Sequence, residues 1–434
     1  MATSIPSAWA DLLQQFFPLF TAPTGPLFAR LLTGWVLCTT RRTITGILAF
    51  ADPEGWRSHD AYHRFFPDAC WDPGALWRVL AQILIRAFYP DGTILLDLDD
   101  TVFHRSGRKV EGAGWWRDPV RSTATCVVKV WGLNLVILTL RVTPPWGGMP
   151  LGLPLHVALH RKDGPKLTEL ARQMLADVTA WFPERVFRVH ADGFYASLAG
   201  DLPARMEMVS RIRRDAVVHD LPPKRPARRR GRPRTKGQRL GAPQRMAAHV
   251  RAWTALTTNE RGHTVRRLVY TRPVIWYRVR KSPILLVLCR DPQGIQKDDF
   301  LFTTDVLLSP AEVVSGYAGR WCIEETIKNT KQHLGAQQPQ TWTRRGPERA
   351  AMLSLLLYSL VWLWYLRQCR RRFSLVRRLR SSPWYPDKRT PSFVDALAAL
   401  RRVLWRPRIN RMFETASVHD KNTEFLIEAL ASAA

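Results

Sequence analysis

One apolar run that ends in acid, Thr93–Asp100, constrains the fold of this chain more than any other segment. Its sequence, Thr-Ile-Leu-Leu-Asp-Leu-Asp-Asp, predicts a buried β-strand because isoleucine and leucine dominate it. A carboxylate that closes such a strand costs free energy unless a metal ion or hydrogen-bond donors receive it. Alternation along the strand places Asp97 and Asp99 on one face and Asp100 on the other. The run therefore predicts a strand that carries a polar site at its end.

The segments after this strand predict a mixed sheet with helices packed against it. An amphipathic helix is predicted at Gly164–Phe182, and the predicted strands are Cys126–Val130, Leu133–Val142, Leu153–Leu159, Glu184–Asp192, Met206–Val218, Thr264–Val279 and Ile284–Arg290. A mostly β run followed by helix, strand and later helices is typical of an α/β (α+β) fold. Asp192 closes one of these strands and is a second acidic strand end.

A third carboxylate lies in a predicted helix, where Tyr317, Arg320, Glu324 and Lys331 occupy positions i, i+3, i+7 and i+14. At about 100° per residue these positions share one helix face. A carboxylate between cations suits a metal ligand whose substrate is a polyanion. The alternative is a solvated helix with an Arg320–Glu324 ion pair, worth roughly 0.3–0.5 kcal/mol. The neighbouring Glu325 faces about 100° away from this set.

The spacing Tyr-x2-Arg-x3-Glu-x6-Lys resembles the signature around the catalytic glutamate of insertion-sequence DDE transposases, the group named for its Tyr-Arg-Glu-Lys motif. The resemblance implies a ribonuclease-H-like mixed sheet with flanking helices, a β-rich insertion and a helical N-terminal domain. It also implies that Asp100, Asp192 and Glu324 are the catalytic and metal-binding residues. Asp100 is selected because it precedes Thr101, as in the family, and Asp99 is the alternative.

The chemistry implied by this resemblance is phosphoryl transfer on DNA with Mg²⁺ or Mn²⁺. Two such ions, about 4 Å apart, could activate an attacking oxygen and stabilise the leaving oxygen. Water would free a 3′-hydroxyl at the element end, and that hydroxyl would attack target DNA. By resemblance Tyr317, Arg320 and Lys331 contact DNA phosphates, and a homodimer on DNA is expected. Some family members stack a flipped base on an insertion-domain tryptophan; Trp276 is the candidate, although a cross-strand core role is favoured.

The charge of the chain favours a polyanionic partner. Its 434 residues include 65 Lys and Arg against 36 Asp and Glu, which gives a formal net charge of +29. Nucleic acid is the expected partner and an anionic membrane surface the competing one. The scattered cysteines and an N-terminus without a basic stretch predict a reduced cytoplasmic protein associated with the nucleoid. The apolar run Met352–Leu366 is shorter than the roughly 20 residues that span a bilayer, so a core helix is expected.

A second basic feature is the segment Leu221–Leu240, which contains no acid and is punctuated by proline and glycine. We expect an extended linker that binds DNA phosphates, through Arg228, Arg229, Arg230, Arg232, Arg234 and Lys236. Its core Arg230-Gly-Arg-Pro233 resembles an AT-hook, which would read the minor groove instead.

These features divide the chain into five predicted regions. They are a helical DNA-binding domain at residues 1–90, the first part of the core at 91–220, the basic linker and β-rich insertion at 221–300, the second part of the core at 301–370, and a basic helical C-terminal region at 371–434.

Two other functions remain open from the sequence. Leu95–Val102 resembles the first motif of haloacid-dehalogenase-type Mg²⁺-dependent phosphatases, in which Asp97 would be the nucleophile and Asp99 the general acid. No Gly-Asp-x-x-x-Asp motif follows, and a phosphatase gives no reason for the +29 charge. The third possibility is a catalytically inactive DNA-binding relic that keeps the fold.

Overall fold

The computed structural model describes residues 6–118, 121–123, 125–223, 234–371, 379, 386–413 and 420–433, and within them ten strands form one mixed sheet. The strands are β1 (Ile94–His104), β2 (Gly114–Arg117), β3 (Lys129–Val142), β4 (Leu151–His160), β5 (Phe187–Ala191), β6 (Met206–Arg211), β7 (Thr254–Glu260), β8 (His263–Val274), β9 (Ile284–Arg290) and β10 (Asp299–Thr303). Their order is β2-β3-β1-β5-β6-β10-β9-β8-β7, and β4 also pairs with β3.

The first half of this sheet is the ribonuclease-H-like part. Strand β1 pairs antiparallel with β3 and parallel with β5, and β5 pairs parallel with β6. Antiparallel β4-β3-β1 followed by parallel β5 and β6 is the arrangement that the predicted fold class requires. The predicted strand at Cys126–Val130 is wrong, because β3 is one continuous strand from Lys129 and residues 126–128 lie outside it.

The second half of the sheet is the β-rich insertion. Strand β10 pairs antiparallel with β6, and β9, β8 and β7 extend the same sheet outward. Strands β7 and β10 were not predicted, since Thr254–Glu260 is polar and Asp299–Thr303 is short. The insertion therefore continues the catalytic sheet.

Helices cover the sheet and supply most of the buried core. They are α1 (Ser7–Gln14), α2 (Thr24–Leu37), α3 (Ile44–Ala51), α4 (His59–Phe65), α5 (Pro73–Phe88), α6 (Leu167–Trp181), α7 (Pro243–His249), α8 (Pro310–Gly319), α9 (Cys322–His333), α10 (Gly346–Arg371), α11 (Phe393–Phe413) and α12 (Asp420–Ser432). The N-terminal helices share one hydrophobic core with the sheet and with α10. The indole of buried Trp35 on α2 donates to the carbonyl of Leu334, the residue after α9, at 2.7 Å.

Helix α10 contains the apolar run Met352–Leu366. It is the one helix among the described residues that is long and apolar enough to cross a membrane, and its most apolar stretch is fully buried inside the structure. It packs against β4, α5 and α11. The core helix expected from the sequence is thus confirmed by its burial.

The basic segment leaves the fold and returns to it at one place. Residues 224–233, which include Arg228, Arg229, Arg230 and Arg232, lie outside the described residues. On either side of them the backbone pairs with itself: His219 bridges Arg239, and the Asp220 amide donates to the Gln238 carbonyl at 2.9 Å. The described ends of the segment thus pair with each other, and the extended linker predicted from composition falls mostly on residues outside the description.

A buried ion pair joins β1 to β3 beneath the predicted site. Asp97 is fully buried and accepts two hydrogen bonds from the Arg141 guanidinium, one of them from Nε at 3.0 Å. The thiol of Cys322, the first residue of α9, donates to Asp97 Oδ2 at 3.1 Å. Because Gly319 at the end of α8 also lies against Arg141, the pair fixes both helices relative to β1.

Replacing Asp97 by alanine should destabilise the protein strongly, because it leaves the Arg141 charge buried without its partner. Breaking such a pair costs about 3–5 kcal/mol. Urea unfolding should show this loss, whereas Asp215→Ala, which breaks the exposed Arg213–Asp215 pair, should cost far less because solvent screens that pair. The double variant Asp97→Leu/Arg141→Met should recover most of the loss, since an apolar pair of similar volume is often as stable. Equal costs for Asp97→Ala and the exposed control would contradict this role.

Candidate active site

Two aspartates meet where β1 and β5 run side by side. The parallel register pairs Leu98 with Ala191, so Asp99 and Asp192 are the next residues on the two strands. Strand β5 ends at Ala191, and Asp192 begins a turn in which its Oδ1 accepts from the Phe194 amide at 2.9 Å. Strand β1 instead continues to His104, so the acidic run lies within the strand and does not end it, contrary to the prediction.

The helix that carries Glu324 covers the face of β1 on which Asp99 lies. Arg320 Nη1 donates to Asp99 Oδ2 at 2.6 Å, and Arg320 Nη2 donates to Glu324 Oε1 at 3.0 Å. Two carboxylates from distant parts of the chain thus share one guanidinium. The Arg320–Glu324 ion pair considered from the sequence is present. Arg320 also bonds Asp99, so the contact is more than a solvated surface pair.

Asp100 lies on the opposite face of β1. Its Oδ1 accepts from the Tyr195 hydroxyl at 2.8 Å, in a short 3₁₀ helix that follows Asp192. The sequence interpretation took Asp100 as the first catalytic aspartate and Asp99 as the alternative. The structure brings Asp99, and not Asp100, to a shared partner with Glu324, so the geometry favours the alternative.

The stretch from Tyr317 to Lys331 was predicted as one helix, and this prediction is wrong. Helix α8 ends at Gly319 and α9 begins at Cys322. A Cβ at Gly319 would lie 2.6 Å from Arg141 Nη1, so the chain approaches that side chain closely here. The hydrogen bonds tighten to i→i+3, such as Arg320 N to Tyr317 O at 3.2 Å. The resulting turn carries Arg320 between the two helices.

The other members of the predicted set lie along the same face. The Tyr317 ring lies under two guanidinium groups, with Arg211 Cζ at 5.2 Å and Arg320 Cζ at 5.8 Å from its centroid. Lys331 Nζ donates to the Thr101 hydroxyl at 2.9 Å, and burial lowers the pKa of Lys331 to about 8. Glu325 faces away, as predicted, and pairs with Lys328 at 3.4 Å.

Burial and crowding shift the protonation of the aspartates. Burial raises the pKa of Asp99 to about 7, the charges of Asp192 and Asp100 add to the rise, and Arg320 opposes it. Burial also raises the pKa of Asp100, with a further contribution from Asp192, while the Tyr195 hydrogen bond lowers it. The charges of Asp192 and Asp100 thus both oppose ionisation of Asp99, and a bound cation would favour it.

The carboxylates suit a divalent metal by their chemistry. In the conformations seen here, no three His, Cys, Asp or Glu side chains among the described residues lie close enough to hold a metal ion together. However, Asp99 and Glu324 flank a cation already, the Arg320 guanidinium, and Asp192 lies beside Asp99. Their oxygens are the donors that Mg²⁺ and Mn²⁺ prefer.

Asp97 does not suit the nucleophile of a phosphatase. Both of its oxygens accept hydrogen bonds from Arg141, and it has no exposed surface. His190 packs behind it, where the ring donates from Nδ1 to the Leu96 carbonyl at 3.1 Å, and burial keeps its pKa well below the usual value. Asp97, Arg141 and His190 therefore form a buried layer beneath the site.

The remaining candidate DNA contacts lie farther out. Trp276 is buried and meets the Phe302 ring edge-on at 5.4 Å, which fits the core role favoured from the sequence. Arg234 is exposed, and Lys236 Nζ lies 4.3 Å from the centroid of the Tyr277 ring. Arg228, Arg229, Arg230 and Arg232 fall outside the described residues, so their role remains a prediction.

Sequence reasoning missed Arg141, Tyr195 and Arg211. A signal existed for Arg141, because it is the sole charged residue in the apolar run Leu133–Val142 and a buried cation implies a buried acid. Tyr195 and Arg211 gave no such signal, since their roles arise from the fold.

Comparisons with known proteins give one family match and one structural likeness. A family model described as DDE superfamily endonuclease matches residues 15–279, which include Asp99, Asp100 and Asp192 and end before Glu324. Among solved structures, the chain is similar to a piggyBac transposase in a synaptic complex with hairpin DNA. The identity is 9% and the TM-score 0.40, over 98% of this chain and 80% of that chain. No curated protein matches the sequence.

Asp99 should make the protein less stable as the pH rises through neutrality. Its pKa is about 7 in the folded protein and close to 3.8 when unfolded, so the folded state holds the extra proton between these values. That contribution to stability is complete below pH 3.8 and is lost as the pH rises through 7. Thermal unfolding of Asp99→Asn and wild type at pH 5 and pH 8 should therefore show a larger gain for the variant at pH 8. A gain that is equal at both pH values would rule out the raised pKa.

Proposed function

The chain belongs to the DDE superfamily endonucleases, and from this premise we propose that it is the transposase of a bacterial insertion sequence, cutting DNA at the element ends and joining them to target DNA. Endonucleases of this superfamily use divalent metal ions. The observation that carries the proposal is the shared contact of Asp99 and Glu324 with Arg320, beside Asp192.

In this mechanism Asp99, Asp192 and Glu324 hold the metal, which we propose is Mg²⁺ or Mn²⁺. The bound ions would activate the attacking oxygen and stabilise the leaving one. Asp97 and Arg141 keep α9 against β1, so that Glu324 stays opposite Asp99. Asp100, held by the Tyr195 hydroxyl, supports the strand from its other face.

The cations of the site bind the substrate. Arg320 would bind a DNA phosphate when Asp99 and Glu324 hold the metal, with Tyr317 beside it and Lys331 at the far end of the same face. Water then attacks the phosphodiester at the element end and breaks its bond to the 3′ oxygen. The released 3′-hydroxyl attacks a phosphodiester of target DNA and displaces its 3′ oxygen, which conserves the number of phosphodiester bonds in the second step.

The charge of +29 supports DNA as the partner and the nucleoid as the place of action in the cytoplasm. We propose that two copies act together, because an element has two ends that must be cut and joined. The closed basic loop of residues 220–238 adds phosphate contacts outside the site.

The test is metal-dependent nicking of a supercoiled plasmid that carries this gene with its natural flanking DNA. Asp99→Asn, Asp192→Asn and Glu324→Gln should each reduce nicking by roughly 10³-fold, because each loses a carboxylate that holds the metal, worth about 4 kcal/mol. Glu325→Gln is the matched control and should nick as wild type does, since Glu325 pairs with Lys328 away from the site.

Three outcomes would change the assignment. Nicking that survives Glu324→Gln would refute the transposase mechanism, and Asp97-dependent hydrolysis of p-nitrophenyl phosphate would point to the phosphatase instead. Loss of nicking in Asp100→Asn with activity kept in Asp99→Asn would return the first aspartate to Asp100.

A further inference from the structure

A second feature of the molecule opens directly beside the candidate active site. It is a cleft of about 1010 Å³ between the β7–β8 hairpin and the junction of α8 with α9. The residues that matter among its lining are Arg211, Arg261, Arg266, Tyr317, Arg320 and Trp321. Arg320 belongs to both places, because it lines the cleft and bonds Asp99 and Glu324. Whatever lies in the cleft therefore reaches the site of phosphoryl transfer.

The hairpin carries an arginine to this junction by an unusual turn. Arg261 and Gly262 connect β7 to β8 with φ of 54° and 85°, which is the two-residue turn that favours Asn-Gly. Arginine is disfavoured in the left-handed region, because its Cβ crowds the backbone carbonyl there. Gly262 is required by space as well, since a Cβ there would lie 2.6 Å from the backbone of Gly148. The turn sets the Arg261 guanidinium 3.8 Å from the centroid of the Trp321 ring.

The cleft holds more positive charge than its acids neutralise. Glu260 accepts both of its short bonds from Arg267, at 2.6 and 2.7 Å. Asp299 accepts from Arg211 at 2.7 Å, and Asp291 accepts from backbone amides of its own loop. Within the described parts of the chain, Arg261 and Arg266 have no carboxylate partner and both are exposed. Two arginines thus offer uncompensated charge to a ligand in the cleft.

Aromatic rings hold two of the arginines in place. Arg211 lies over Tyr317 and Arg261 over Trp321, and such contacts fix the plane of a guanidinium. Arg211 also donates to Asp299, whereas the N–H groups of Arg261 form no ion pair among the described residues and can donate to a ligand. Because the side chains are ordered beforehand, less conformational entropy is lost when a ligand binds. Arginine interleaved with aromatic rings in one groove is the lining found in sites for single-stranded nucleic acid.

We propose that this cleft binds a single DNA strand, with Arg261 and Arg266 on its phosphates, and leads it to or from the bond at Asp99 and Glu324. Cleavage of a duplex frees one strand at the break, and the cleft opens where that strand leaves the site. The source of the strand rests on the proposed function, whereas the affinity for single-stranded DNA does not.

Binding is measured without metal, on fluorescein-labelled oligonucleotides in EDTA. The probes are a blunt duplex and the same duplex with a 12-nucleotide single-stranded tail at the 3′ or the 5′ end. The test variant is Arg261→Asn/Arg266→Ala, where asparagine accepts the left-handed turn and keeps the hairpin. The control is Arg78→Ala/Arg86→Ala, which removes two exposed arginines of α5 that do not line the cleft.

Wild type and control should bind the tailed duplex more tightly than the blunt one. The cleft variant should lose this advantage, and its log–log salt slope on tailed DNA should fall by about 1.4, at about 0.7 per phosphate contact on a single strand. Its affinity for blunt duplex should stay unchanged. An unchanged slope, an equal loss on blunt duplex, or a wild type that ignores the tail would each overturn the proposal.

The nicking assay separates this proposal from the proposed function. A wild type that nicks but shows no tail-dependent binding would refute the cleft alone. A wild type whose tail preference depends on Arg261 and Arg266, but which never nicks, would refute the transposase alone.

Discussion

The buried pair of Asp97 and Arg141 is the interaction on which the site depends. It places opposite charges from β1 and β3 beneath the point where two helices meet the sheet, with the Cys322 thiol and Gly319 packed against it. A buried ion pair is weak support for stability in general, because desolvation offsets much of the attraction. Here the pair matters because it fixes the positions of two helices on the sheet. The Cys322 hydrogen bond to Asp97 and the close contact of Gly319 with Arg141 hold the two helices to the pair, and this arrangement sets Glu324 opposite Asp99.

A second constraint is that the strands of the catalytic core and of the insertion belong to one sheet. Strand β10 pairs with β6, so the insertion continues the hydrogen-bonded ladder outward from the strands that carry the aspartates. The tip of the β7–β8 hairpin then returns to the α8–α9 junction, where the Asn259 amide donates to the Ser315 hydroxyl at 3.1 Å. A rigid sheet thereby fixes the distance between the carboxylates and the basic cleft, and Arg320 stands between the two.

The sequence predicted most of what is local and little of what is tertiary. The strand through Asp97–Asp100 was predictable because apolar residues and period-two alternation are read directly, and Asp192 followed from the end of another apolar strand. The break after Gly319 was not, since the helical pattern continues through it and the cause is the contact with Arg141. The sequence could not decide between Asp99 and Asp100 for the same reason, because the answer depends on tertiary packing. Alternation separated their faces, but which face meets α9 is decided by the packing of a helix more than 200 residues later.

Polar strands were the other source of error. Strand β7 has few buried residues, so only its ladder to β8 makes it a strand. Arg261 could not be singled out from the many arginines of the chain, because such a turn is recognised by asparagine before glycine, and here arginine precedes Gly262. Composition predicts a polyanionic partner, because the net charge of +29 is read from the sequence without knowledge of the fold.

The closed base of the basic loop has a consequence for how this gene can change. The pairings of His219 with Arg239 and of Asp220 with Gln238 close the segment at its base, where Arg272 of β8 also donates to Asp220 at 2.9 Å. Each doubling of such a loop costs only about 0.6 kcal/mol. We therefore expect changes of length or arginine content within residues 224–233 to leave these pairings intact. The DNA affinity proposed for this segment could then change in evolution without any change to the carboxylates.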